Sequence, residues 1–126
     1  MLKNMNFAKW VFLVAGAYGI LLVAPMYFSE NQMSLEYPPA ITHPEYYYGF
    51  VGLTLSWQIA FLIISINPER YRLLMIPSML EKISYVIALF VLYGQQQAGT
   101  FLLWFGGIDL LFAILFLVAF IRTPKS

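Results

Sequence analysis

The sequence predicts an all-α, integral membrane four-helix bundle with both termini cytoplasmic. Four apolar runs, Phe7–Phe28, Tyr46–Ile66, Leu73–Tyr93 and Phe101–Ile121, fill most of the 126 residues. Each is close to the roughly 20 residues that a helix needs to cross a bilayer core. Hydrophobic residues make up 61% of the chain and charged residues 10%, against about 25% charged in soluble domains. Too few polar residues remain to clothe the outer face of a soluble helical protein. The basic residues, finally, fall in alternate links. Residues 1–126 are expected to form a single transmembrane domain, because four short helices can bury their faces only against one another.

Lys3 lies before the first run and Lys9 at its start, in the manner of a signal n-region, and Ala15-Gly16-Ala17 resembles a signal-peptidase site. Cleavage there would leave an apolar stretch after Lys9 too short for a signal h-region, so an uncleaved span is expected. The link Ser29–Glu45 carries Glu30, Glu36 and Glu45 and no Lys or Arg. With Pro38-Pro39 at its centre, it is the one link long enough to form an extracytoplasmic lid. Thr42-x-x-Glu45 matches a capping box for the second helix, in which His43 and Glu45 would belong to the cap rather than to a metal or proton site. Tyr46, Tyr47 and Tyr48 then read as an interfacial aromatic belt.

Asn67-Pro68-Glu69 has the form of a helix start: an N-cap, a proline at the first helical position and an acid near the positive dipole end. The third helix is therefore expected from about Pro68, with Pro77 inside it as a kink. Arg70 and Arg72 lie in this link, Arg122 and Lys125 follow the fourth span, and Gly94–Thr100 carries no charge. The positive-inside rule then places both termini and the 67–72 link in the cytoplasm, in a bacterial inner membrane. The only basic residue that this pattern leaves unassigned is Lys82, which lies inside a span.

The formal net charge of +1 gives no basic field for nucleic acid. The absence of cysteine removes thiol redox chemistry and iron–sulfur ligation. A single histidine, His43, is too few for bis-histidine haem within one chain. No cofactor and no metal are expected.

The remaining chemistry lies in polar groups within the spans. The third span must include Leu73–Leu80 to cross, which puts Glu81 and Lys82 inside the apolar slab; Asp109 lies inside the fourth. Burying such groups costs roughly 2.5–3.5 kcal/mol each on insertion scales, so they face the bundle interior. Counted from the outer end at about 1.5 Å per residue, Asp109 lies about 12 Å deep, Tyr18 about 15 Å, and Gln58 and Glu81 about 18 Å. One polar residue per helix would thus form a layer near the midplane. Glu81 shares a helical face with Ser84 and Ala88, and Asp109 with Gly106 and Ala113. Small residues mark close helix approach in lipid. The second span carries a small stripe, Gly52, Ser56 and Ala60, and a polar one, Tyr47, Thr54, Gln58 and Ser65. The first adds Ala15 and Gly19. Lys82 is expected to snorkel toward the cytoplasmic face and away from Asp109, because helical side chains lean toward the N-terminus. The acids then serve either as interhelical glue or as a ligand or proton site.

His43-Pro44-Glu45-Tyr46-Tyr47-Tyr48-Gly49-Phe50-Val51-Gly52, Trp57-Gln58, Leu80-Glu81-Lys82, Gly107-Ile108-Asp109 and Arg122-Thr123 together resemble a family of small bacterial four-span membrane proteins. That resemblance brings no activity with it. In layout the chain is also similar to DoxX-like proteins and to the EXPERA group, which includes sterol isomerases and the sigma-2 receptor. EXPERA members hold hydrophobic amines or sterols beside buried acids, so this likeness implies an apolar ligand within a bundle. It is a likeness of layout, without a shared motif.

Among functions, the first expectation is binding of an apolar or lipid-like small molecule, with Glu81, Asp109, Gln58 and Tyr18 as its polar contacts. The alternatives are an accessory subunit or homo-oligomer of a membrane complex, and a proton-dependent isomerase or small transporter. No nucleophile–base pair or phosphate loop supports enzyme chemistry. The topology is directly testable. Cysteines placed at Leu35 or Gln96 should react with an impermeant thiol reagent from outside. A cysteine at Ser126 should react only after permeabilisation, and outside labelling there would reverse the orientation.

Overall fold

The outer surface of the folded chain is as apolar as its interior. Leu21, Phe28, Leu53, Leu80, Trp104 and Ile121 are all more than 60% exposed, while several of the buried positions hold Ala or Gly. A water-soluble protein would not leave so much apolar surface uncovered; a bundle packed in hydrocarbon must. The computed structural model describes residues 2–36, 42–95 and 102–124, with side chains from Phe7 onward except that of Glu36. These residues form α1 (Leu2–Val23), α2 (Glu30–Glu36), α3 (Pro44–Ile66), α4 (Met75–Gly94) and α5 (Leu102–Arg122), with no strand among them. Four stretches, Phe7–Phe28, Pro44–Ile66, Arg72–Gly94 and Leu102–Arg122, are long and apolar enough to cross a membrane. The protein is a multi-pass, all-α, four-helix membrane bundle.

α1 pairs with α3, and α4 pairs with α5; the two hairpins meet along α1 and α5, whereas α3 and α4 barely touch. All three close pairs run antiparallel. We call the end where α1 begins and α5 finishes the base, and the other end the top. Glycines set the approach within each hairpin. A Cβ on Gly16 would come within 2.8 Å of the Gln58 carbonyl oxygen, and one on Gly19 would overlap the Gln58 side chain. In the other hairpin a Cβ on Gly106 would meet Leu89 Cδ2 at 2.7 Å.

The lower half is closed by three fully buried rings. Phe12 stacks on Phe116 at 4.2 Å between centroids, and Phe61 meets Phe116 edge-on at 5.0 Å and Phe12 at 6.0 Å. Ile64 and Met75 complete this core and join the bases of α3 and α4. The link beneath is anchored by Arg72. Its Nε donates to the carbonyls of Thr123 at 2.9 Å and Phe120 at 3.2 Å, and its guanidinium lies 3.8 Å from the Phe120 ring centroid. A cation at the end of α5 thus meets carbonyls that the helix leaves unpaired.

Several local expectations are corrected. α1 ends at Val23 because Pro25 has no N–H and crowds the preceding turn, so Ala24–Phe28 is a 3₁₀ turn. The capping box at Thr42 does not form. His43 takes the N-cap position, with no side-chain cap bond and with Pro44 at the first turn. Proline biases its predecessor away from helical geometry, which starts the helix after His43 rather than after Thr42. His43 and Glu45 form an exposed pair at 3.6 Å instead. Two members of the tyrosine belt clasp the first hairpin: the Tyr47 hydroxyl donates to the Met26 carbonyl at 2.6 Å and the Tyr48 hydroxyl to Glu30 Oε1 at 3.1 Å.

Asn67 does accept the Arg70 N–H through Oδ1 at 3.2 Å, but it caps only a turn. The α-helix starts at Met75, which puts Pro77 in its first turn, where no intrahelical N–H is needed and no kink follows. The expected small-residue faces also differ. On α4 the buried stripe is Met75, Ser78, Lys82, Val86 and Leu89, while Ser84 and Ala88 beside Glu81 are exposed. On α3 it is Val51, Gln58, Phe61 and Ile64, and Ser56 is exposed. Gly106 and Ala113 are buried as expected, as are Ala15 and Gly19. The Pro38-Pro39 lid and most of the third link lie outside the described residues.

Gly16→Ala should lower stability by about 1–3 kcal/mol, since the Gln58 carbonyl oxygen, besides the Leu62 side chain, blocks the new methyl and backbone cannot swing aside. Gly107→Ala, which would meet nothing within 4 Å, should not. Thermal unfolding of both variants in detergent checks the contrast.

Candidate functional site: a polar-floored cavity between α3 and α4

Because each hairpin is tight and the hairpins join only along α1 and α5, a wedge opens on the opposite side above the aromatic core. It is a cavity of ≈ 950 Å³, at the upper end of the roughly 300–1,000 Å³ typical of small-molecule sites. Tyr18, Gln58, Glu81 and Asp109, the four candidate residues, all line it. Their walls are apolar: Leu22, Phe50, Leu53, Trp57 and Phe105 among others, with Met33 of α2 reaching in from the top. Leu53, Leu80 and Ile87 at the α3–α4 gap are 59–66% exposed, so the cavity faces the hydrocarbon.

The floor is organised by a residue that the sequence reading placed elsewhere. Lys82 does not snorkel to the base. It is 4% exposed, and its Nζ lies 3.2 Å from Asp109 Oδ1 and 3.9 Å from Glu81 Oε2. The Arg72–Phe120 and Leu89–Gly106 contacts set a register that puts Lys82 level with about Phe112. The ammonium therefore rises by roughly one residue triplet, about 4.5 Å, to reach Asp109. The rotamer lean toward the base is overridden because Phe61 and Phe116 fill the space below and because an unpaired ammonium there would be strongly disfavoured. The rings of Phe61 and Phe112, 5.5 and 5.6 Å from Nζ, flank the charge. Tyr18 packs on Phe112 at 5.8 Å.

Gln58 and Glu81 are only partly satisfied. The Gln58 side chain is 1% exposed. Its Nε2 donates to the Thr54 carbonyl at 2.9 Å, while its Oε1, which lies where a Gly19 side chain would stand, has no hydrogen-bond partner. Glu81 Oε2 is also buried without a hydrogen bond, held only by the longer ion-pair contact to Lys82. Buried acceptors are normally paired; these two are enclosed by the protein itself, with almost no surface open to the cavity. Among the described residues no three of His, Cys, Asp and Glu converge as a metal site would require.

Sequence reasoning thus missed Lys82, Trp57 and Tyr85, which also line the cavity. The spacing Met75-Ser78-Lys82-Val86-Leu89 is the signal that could have placed Lys82 on the buried face. It is ambiguous because Ser78, Glu81, Lys82 and Tyr85 share one polar face of α4, and the pattern does not say which of the adjacent Glu81 and Lys82 is buried more deeply. No protein-family model, curated protein or solved structure matches the chain.

The pair makes a cycle testable. In a Glu81→Gln background, which leaves Lys82 to pair with Asp109 alone, Lys82→Met or Asp109→Leu should cost about 3–5 kcal/mol by leaving an unmatched buried charge, whereas the variant with both changes should recover most of that loss. Unfolding of the three variants in mild detergent measures the coupling, and additive losses would show the two side chains to be independent.

Proposed function

We propose that this protein binds an apolar, lipid-like small molecule in the α3–α4 cavity, with its apolar part against the cavity walls and its polar part on the Gln58–Glu81–Lys82–Asp109 floor. The single observation that carries this reading is a large, mostly apolar cavity whose lining includes a cluster of polar side chains, Tyr18, Gln58, Glu81, Lys82 and Asp109. Such a combination is the usual anatomy of a small-molecule site. Tyr18 would close the floor on the α1 side. The charge pattern of the links supports a bacterial inner-membrane setting with the base in the cytoplasm, which turns the cavity toward the outer leaflet.

A second reading, a subunit that packs on another membrane protein or on its own copy, draws on one feature. The outer face of α5 carries a shallow groove over Gly107, bordered by Trp104, Ile108 and Leu111. Gly16, Gly19, Gly106 and Ala113 are already used within the bundle, which favours the ligand reading.

Filling the cavity separates the two. Ser84→Trp should strip co-purifying lipid-like molecules from the protein, as read by native mass spectrometry, and leave its oligomeric state unchanged. Gly107→Leu should leave such molecules bound. If Ser84→Trp and wild type carry the same adducts, the cavity is not the site.

A further inference from the structure

The cavity is closed below by the packed rings and opens sideways to hydrocarbon. Its upper end is covered by the chain that follows α1: Met26 lines that end, and Met33 of α2 reaches into it. The two pieces of this cover are held differently. The 3₁₀ turn Ala24–Phe28 is anchored on α3. Tyr47 donates to the Met26 carbonyl at 2.6 Å, and the Tyr27 and Tyr48 rings stack at 6.2 Å. The Tyr27 hydroxyl also sits 3.1 Å from where a Gly52 side chain would begin. α2 hangs from this turn through Ser29, whose backbone leaves helical geometry at φ −120° and ψ 14°. The Ser29 hydroxyl donates to the Pro25 carbonyl at 2.8 Å.

The seven residues of α2, Glu30–Glu36, are too few to hold a helix by themselves, since isolated helices below about 12–15 residues are marginal. α2 therefore keeps its place through contacts outside itself. One is the exposed hydrogen bond from the Tyr48 hydroxyl to Glu30 Oε1 at 3.1 Å, which the carboxylate charge strengthens. Another is Met33, one turn further on, half-buried against the cavity. An unbranched thioether fills irregular gaps and can leave and re-enter them. A short element tied in part by an exposed bond belongs to the low end of local stability, from which lids are drawn.

Resting on the ligand-binding reading for what the cavity holds, we propose that α2 is a lid on the cavity's upper end. Ser29 is its hinge, Met33 its plug and the Tyr48–Glu30 bond its latch. Closed, it keeps water from the Lys82–Asp109 pair and leaves the α3–α4 gap as the way in from the bilayer. Open, it gives a bound amphiphile a second way out, toward the water at the top.

The chain has no cysteine, so single introduced thiols report the lid directly. In phosphatidylcholine nanodiscs with an impermeant maleimide, Met33→Cys should react about tenfold more slowly than Asn31→Cys, an exposed position on the same helix. Tyr48→Phe removes the latch hydroxyl and keeps the ring. It should speed the reaction of Met33→Cys by about fivefold or more and leave Asn31→Cys within about twofold. Ser78→Cys, fully buried near the base of α4, should stay unreactive in both backgrounds. Equal rates at positions 31 and 33 would show that α2 covers nothing, and a Tyr48→Phe change without effect at position 33 would remove the latch; either result overturns the lid. Should Tyr48→Phe expose position 78 as well, the whole bundle has loosened, and Glu30→Ala, which removes the acceptor instead of the donor, decides by the same rates. These rates read the lid whether or not the cavity is filled, whereas the ligand-binding reading stands or falls on the adducts lost in Ser84→Trp.

Discussion

A lysine held at mid-depth in an apolar bundle is the constraint around which the rest of this protein is arranged. Lys82 cannot remain in hydrocarbon unpaired, and its Nζ contacts Asp109 at 3.2 Å. That contact ties α4 to α5 at the level where the packed lower half gives way to the cavity. Below it, the Phe12–Phe61–Phe116 cluster leaves no room for a polar group. Above it, the helices of the two hairpins separate. The ion pair therefore marks a boundary between a dry, closed base and an open, lipid-facing upper half.

The wedge follows from where close approach is permitted. Gly16 and Gly19 draw α3 onto α1, and Gly106 draws α4 onto α5. Among the described residues no comparable glycine contact joins α3 to α4. Their short link, pinned by Arg72 to the end of α5, brings them together only at the base through Ile64 and Met75. In lipid, helices gain little by shedding apolar surface and associate through close packing and hydrogen bonds, so an unpacked gap facing hydrocarbon carries little penalty. In water the same gap would collapse. A bundle that is incomplete on one side is thus compatible with its solvent, and the incompleteness creates the cavity.

Much of this architecture was legible along the chain, because it depends on quantities that are local in sequence. The lengths of the apolar runs determine four crossings, and the polar residues Tyr18, Gln58, Glu81 and Asp109 could be brought to one layer by counting helical rise. The breakdowns came where two local rules competed. Thr42 and Glu45 have the spacing of a capping box, yet Pro44 sets the helix start one residue on. Asn67-Pro68-Glu69 has the composition of a helix start, yet the chain makes a turn and a 3₁₀ segment before α4 begins.

By itself, then, the sequence determined the fold class, the number of spans and which polar groups must share the interior, since hydrophobic length and the cost of burying charge act on each segment independently. Only the tertiary structure decided which of two adjacent residues, Glu81 or Lys82, takes the buried stripe, and that Lys82 reaches up to Asp109 rather than down to the base. The polar face of α4 contains both residues, so amphipathicity does not choose between them; the exact helix rotation is set by which neighbours pack against it, here Leu89 on Gly106 and Arg72 under α5. The cavity likewise belongs to no segment, because it is the space left where two tight hairpins meet along only one edge.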